Sequence, residues 1–159
     1  MPYVPAHVAN SFLYRGAQEG VSDIDPLKIQ KLVYCLHGWY LATRNVPAVG
    51  ERFQAWPYGP VLASLYHEFK SNRDSAIQGY AREIDPVTGQ NRSLMVSPED
   101  KPFQEVFNAV WNRYKGMNGL QLSALTHAPG TPWKTARDSG NAYLSDDEIK
   151  AHFKNLARS

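Results

Sequence analysis

The sequence predicts a mainly α-helical chain of α+β type with a small antiparallel β element. Three observations carry this. Two long stretches, Leu27 to Tyr40 and Phe103 to Tyr114, repeat apolar residues at helical spacing; helix-start signals stand before most apolar runs; and the interval from Tyr80 to Val96 is polar and turn-rich. At 159 residues the chain is expected to form one domain spanning residues 1–159, burying roughly two-thirds of the surface its unfolded form exposes. No repeat, linker or low-complexity tract divides it.

Pro5 followed by Val8, Phe12 and Leu13 predicts a first helix that Gly16 or Gly20 ends. Asp25-Pro26 reads as an N-cap and a first-turn proline. Leu27, Ile29, Leu32, Val33, Leu36 and Tyr40 then mark a helix to about Thr43, the central one. Phe53 to Trp56 is strand-like. In Trp56-Pro57-Tyr58-Gly59-Pro60-Val61, each proline fixes its own φ and pushes the residue before it toward extended geometry. Pro60 is expected to open the next helix, with Val61, Leu62, Leu65, Tyr66 and Phe69 on one face and Lys70-Ser71-Asn72-Arg73 ending it.

Ala81 to Asp85 and Ser93 to Val96 flank a polar tip at residues 86–91, a hairpin signal. Ser97 and Pro98 are expected to cap and open a helix running through Phe103, Val106, Phe107, Val110, Trp111 and Tyr114 to Gly116. Leu120 to His127 is a shorter helix, Pro129-Gly130-Thr131-Pro132 a break, and Trp133 the start of another short segment. Ser145 and Glu148 form a capping box for a final helix bearing Ile149, Phe153 and Leu156.

Composition narrows the chemistry. Seventeen basic against fifteen acidic residues give a net charge of +2, with no basic run, so a polybasic nucleic-acid protein is not expected. A single cysteine, Cys35, rules out an intrachain disulfide framework, so a reducing cytoplasmic setting is expected. The N-terminus has no signal-peptide pattern and no window nears 18 apolar residues, so no membrane role is expected. Cys35 and His37, two apart on a helix, point to nearly opposite sides and make no dyad. Histidines and carboxylates lack metal-ligand spacing, and no GxGxxG or P-loop is present; neither metal nor cofactor is expected. An enzyme built from His37, His67 and His127 would require long-range convergence. Arg82, Arg92 and Lys101 around the hairpin, with Lys150, Lys154 and Arg158 on the last helix, leave a winged-helix-like DNA-binding regulator as the alternative, although Glu83, Asp85, Glu99 and Asp100 mix the local charge.

Protein binding is the class that the aromatics favour. Four tryptophans, nine tyrosines and six phenylalanines make the chain 12% aromatic, and large rigid side chains suit interfaces. Trp111 and Phe107 belong to a helix core face. Tyr58 and Tyr66, set by the stiff proline-rich junction, are assigned to meeting a partner, with His37 and Trp133 beside them, while Trp56 is expected to anchor strand to helix.

Two blocks are more specific. Lys28-Ile29-Gln30-Lys31-Leu32-Val33-Tyr34, continuing through His37-Gly38-Trp39-Tyr40-Leu41-Ala42, and Glu51-Arg52-Phe53-Gln54-Ala55-Trp56-Pro57-Tyr58-Gly59-Pro60-Val61, closely resemble the Panacea domain, the family of SocA-like antitoxins and phage-associated GepA-type proteins. Leu62 to Lys70, Leu125-Thr126-His127 and Pro132-Trp133 fit the same pattern, so the resemblance covers nearly the whole chain. It implies a non-enzymatic antitoxin of a bacterial or phage toxin–antitoxin system that neutralises a cognate toxin from the same operon by direct contact. In the SocA-like case it also implies a proteolytic adaptor that delivers the toxin to a ClpXP-type protease. Some relatives carry an added DNA-binding segment for which this chain has no room, so autoregulation is not expected. The family supplies no interface residue by residue; the partner-facing residues above rest on physical reasoning alone.

Overall fold

The computed structural model describes residues 2–159. Helices α1 (Pro5–Glu19) and α2 (Pro26–Arg44) come first, followed by strands β1 (Gln54–Trp56) and β2 (Gly59–Val61). Helix α3 (Ala63–Phe69) continues into a 3-10 turn over Lys70–Asn72. Strands β3 (Glu83–Ile84) and β4 (Asn91–Arg92) precede α4 (Lys101–Tyr114), α5 (Gly119–Thr126), α6 (Pro132–Asp138) and α7 (Asp146–Ala157). The fold is mainly α with two small antiparallel strand pairs, as the sequence predicts.

Helix α2 is the axle. It packs against α1, α4, α5 and α7, and against β2 and α3. Every residue from Lys28 to Gly38 is buried, so this helix is enclosed all round rather than amphipathic. Its start is the predicted one: the Asp25 carboxylate accepts from the Lys28 N–H at 2.8 Å, with Pro26 in the first turn. It ends on Asn45 in the left-handed region, whose N–H donates to the Leu41 carbonyl. Helix α7 approaches α2 at Gly38, where the Phe153 ring fills the space a side chain would occupy. Phe153 also meets Tyr34 and Trp39 edge-on, at ring separations of 5.8 and 5.4 Å.

Helix α1 carries the second hairpin. The Asn10 side-chain amide donates to the Ala81 and Leu94 carbonyls and accepts from the Ala81 N–H, while the Ser11 hydroxyl accepts from the Val96 N–H. Two polar side chains of α1 thereby satisfy backbone groups on both arms. The paired strands are shorter than expected, Glu83–Ile84 against Asn91–Arg92, because these external bonds claim the backbone at Ala81, Leu94 and Val96.

Three local expectations are corrected. Pro60 does not open a helix; it lies in β2 opposite Ala55, and α3 begins at Ala63. In a hairpin with a two-residue turn, that pair is the non-hydrogen-bonded one, so the missing proline N–H costs nothing there. Helix α4 starts at Lys101 rather than Pro98. Asp100 is its cap, accepting from the Phe103 N–H, while Ser97 only closes a turn with Glu99 and Asp100. At α7, Ser145 accepts from the Glu148 N–H, but the returning bond from Glu148 is not formed. Asn118 and Gln121 make the full capping box instead, at the start of α5.

The α2–α7 contact yields a test. A Cβ at Gly38 would lie 2.1 to 2.6 Å from three atoms of the Phe153 ring. Alanine gains about 1 kcal/mol in helix propensity, but overpacking a core costs about 1–3 kcal/mol or more. Gly38→Ala is therefore expected to lower the urea midpoint, whereas Gly116→Ala, with open space around it, is expected to leave it nearly unchanged.

Candidate partner-binding site

Strands β1 and β2 form a tight hairpin with Pro57 and Tyr58 at its turn, paired as Trp56 with Gly59, Ala55 with Pro60 and Gln54 with Val61. Four backbone carbonyls of this hairpin accept hydrogen bonds from side chains of three helices. Arg137 of α6 donates to Ala55 at 3.0 Å and Trp133 Nε1 to Trp56 at 2.6 Å. The Ser123 hydroxyl of α5 donates to Tyr58, and Lys31 Nζ of α2 to Pro60 at 2.9 Å. Two residues further on, the Gln30 side-chain amide spans the Leu62 backbone, donating to its carbonyl and accepting from its N–H, each at 2.9 Å. The free edge of β1 is closed as well, since the Ala55 N–H donates to the Ala142 carbonyl and the Leu144 N–H to the Phe53 carbonyl.

Gly59 explains why the turn sits so deep. Its φ is +112°, and a Cβ there would meet Lys31 Cε and Thr126 Oγ1 at 3.0 Å. Only glycine combines that backbone geometry with so close an approach to α2 and α5.

With the backbone held inward, the turn's side chains face out. Tyr58 is 66% exposed and Tyr66, on α3, 43% exposed. Trp56 lies between, half-buried, its ring 4.8 Å from that of Tyr66 and its indole N–H on Gln54 Oε1. Exposed Leu120 stands one turn before Ser123 on α5. The junction is thus a buried corner in its backbone and a presented surface in its tyrosines.

The other two expected partner residues have different places. Trp133 is half-buried under the hairpin, its ring 5.2 Å from His127 and 5.4 Å from the Arg137 guanidinium; it supports the turn from below. His37 has no exposed surface and is withdrawn from the partner-facing set. Its Nδ1 accepts from the Val49 N–H at 3.3 Å, so Nε2 carries the hydrogen and donates to Asp146 at 2.9 Å, tying α2 to the first turn of α7.

The buried polar residues of α2 are the part that periodicity did not reveal. Lys31 is fully buried with the Pro60 carbonyl as its partner, and burial brings its ammonium down to about 7. Lys28, also fully buried, donates to Asp23 and to the Lys115 carbonyl. Burial pushes the Cys35 thiol up to about 12, so it is held as the thiol. His37, His67 and His127 each contact different neighbours, and among the described residues no group of three His, Cys, Asp or Glu side chains is placed to hold a metal.

Residues 29–134 match the family described as antitoxin SocA-like, Panacea domain. The chain is also 35% identical over 154 residues to the antitoxin SocA of Caulobacter vibrioides (strain NA1000 / CB15N), a match covering 92% of this chain and 80% of that protein. No solved structure matches the chain. The family match begins one residue before Gln30 and ends one residue after Trp133, so it encloses the hairpin together with four of the five side chains that hold it.

Lys31 and Cys35 give opposite pH dependences. The Lys31 ammonium falls from 10.5 to about 7 on folding, so between these values the unfolded chain holds a proton that the folded one has released, and stability rises with pH. Cys35 moves from 9.0 to about 12; there the folded chain keeps the extra proton and stability falls with pH. Lys31→Met is expected to abolish the rise in melting temperature between pH 7 and 9, and Cys35→Ala to make the fall above pH 10.5 less steep; the Tyr34 and Tyr114 hydroxyls, also pushed up by burial, keep the rest of that fall. An unchanged pH slope in Lys31→Met would mean that Lys31 keeps its charge in the fold.

Proposed function

The chain belongs to the SocA-like Panacea family of antitoxins, and from that premise we propose that it neutralises a cognate protein toxin, encoded in the same operon, by direct contact through the aromatic hairpin. The whole of residues 1–159 acts in this reading as one antitoxin domain without catalysis of its own. The observation that carries the site is the pairing of a fixed backbone with exposed tyrosines: the hairpin is held from three helices, while Tyr58 and Tyr66 remain open to a partner. A side chain mounted on a pre-ordered turn loses little further freedom on binding, and tyrosine buries much area with few rotatable bonds. Delivery of the toxin to a ClpXP-type protease is a second step of the same proposal. It is read from toxin lifetime in cells with and without the protease.

The winged-helix reading has less support. Of the arginines that motivate it, Arg92 is committed to Glu83 at 3.0 Å and Asp85 at 3.4 Å, and the strands of its hairpin are two residues long. Specific DNA binding would fall steeply with salt; a retarded, salt-sensitive complex with the chain's own promoter would revive it.

The direct test is co-expression with the adjacent open reading frame. Rescue of growth by the wild-type chain is expected, and a toxic neighbour left unrescued would refute the proposal. Tyr58→Ala is expected to weaken the complex about thirtyfold or more, in the range of an interface hot spot, while shifting stability by no more than about 0.5 kcal/mol, as for an exposed position. Tyr66→Ala also loses its contact with Trp56, so a modest fall in melting temperature should accompany its loss of affinity. Full affinity in the Tyr58→Ala, Tyr66→Ala double variant would move the contact surface elsewhere.

A further inference from the structure

A second feature lies on α2 away from the hairpin. Trp39 stands eight residues beyond Lys31, about 12 Å along the helix, and lines a cleft of about 570 Å³ between α2 and α4. The walls are Trp39, Val106, Ala109 and Val110, and the rims carry Thr43, Arg44, Glu105 and Arg113. A volume of this size suits a small ligand or a few residues of a peptide.

The two rims differ in charge. On one, Arg44 and Glu105 pair with each other. On the other, the Arg113 guanidinium lies 5.0 Å from the centre of the Trp39 ring and 5.7 Å from that of Tyr114. The indole beneath it is fixed, because Trp39 Nε1 donates to the Tyr114 hydroxyl at 2.9 Å. Among the described residues no carboxylate lies within 4 Å of Arg113, and its guanidinium donates to no protein group. A planar cation held by stacking, with its N–H groups unclaimed, is suited to receive a carboxylate in the two-pronged manner.

We propose that this cleft binds the C-terminus of a partner polypeptide ending in an aliphatic residue, with the terminal carboxylate on Arg113 and the last side chain over Val106, Ala109 and Val110. The polar rim favours a peptide over a free fatty acid. The Glu105 carboxylate and the Thr43 hydroxyl oxygen can accept from backbone N–H groups that an acyl chain lacks. Glu105 also disfavours a second negative charge, so a monoanion fits better than a phosphate. The cleft does not include Tyr58 or Tyr66, so it stands independently of the toxin-binding hairpin.

The test uses the full chain labelled with ¹⁵N and follows the Trp39 indole N–H resonance, assigned with Trp39→Phe. The probes are an N-acetylated hexapeptide ending in two leucines, as the free acid and as the C-terminal amide, and octanoate. The free acid is expected to shift the resonance with at least tenfold lower Kd than the amide or octanoate. Arg113→Gln is expected to remove the difference between acid and amide. Ala109→Glu, a substitution at an exposed floor position, is expected to abolish binding of the acid. Equal affinity for acid and amide, tighter binding of octanoate, or no movement of the Trp39 resonance with any probe at millimolar concentration would overturn the proposal.

Discussion

Gln30 and Lys31, neighbours on the buried helix α2, hold the backbone of the segment that follows β1. The Gln30 amide offers one donor and one acceptor to the Leu62 backbone, which needs one of each, and Lys31 Nζ caps the Pro60 carbonyl. Every one of these groups is buried or nearly so, and a buried polar group left without a partner costs about 1–3 kcal/mol. The hairpin can therefore occupy one position on α2 and few others. The depressed Lys31 ammonium is the chemical mark of how dry that contact is.

The rest of the candidate site follows from this grip. With Pro60 and Leu62 fixed, α3 must leave at Ala63, which sets Tyr66 against Trp56. With Gly59 pressed on Lys31 and Thr126, the turn comes within reach of Ser123 on α5 and of Trp133 and Arg137 on α6. Three helices then share the backbone of one turn, and the side chain of Tyr58 is left outside. Rigidity underneath and exposure above are two consequences of the same set of bonds. Family membership gives that arrangement its meaning, since an antitoxin needs a surface for another protein.

Much of this was legible in the sequence. Asp25-Pro26, Pro5 with Gly20, and Ser145 announced their helices because capping is local chemistry. Apolar periodicity placed α2, α4 and α7 and their core residues. Pro60 misled because proline suits both a first helical turn and a non-hydrogen-bonded strand position, and only the Ala55 pairing decides between them. The start of α4 was misplaced because Ser97-Pro98 and Asp100 with Pro102 are both plausible caps three residues apart. The burial of Lys28, Gln30, Lys31 and His37 lay beyond periodicity, since each is satisfied by a group distant in sequence. Both tyrosines assigned to a partner are exposed, whereas His37 looked available only because nothing local reveals Val49 and Asp146 around it.

The central claim is that the gripped hairpin presents Tyr58 and Tyr66 to the toxin, and tyrosine modification mass spectrometry of the free and toxin-bound chain tests it most directly. Five tyrosines, Tyr14, Tyr58, Tyr66, Tyr80 and Tyr143, are 40% exposed or more in the free protein and serve as internal references for one another. Toxin is expected to protect Tyr58 and Tyr66 while Tyr14 and Tyr80, beside the other hairpin, stay as reactive as before. Protection of Tyr14 and Tyr80 with Tyr58 and Tyr66 still open would contradict it.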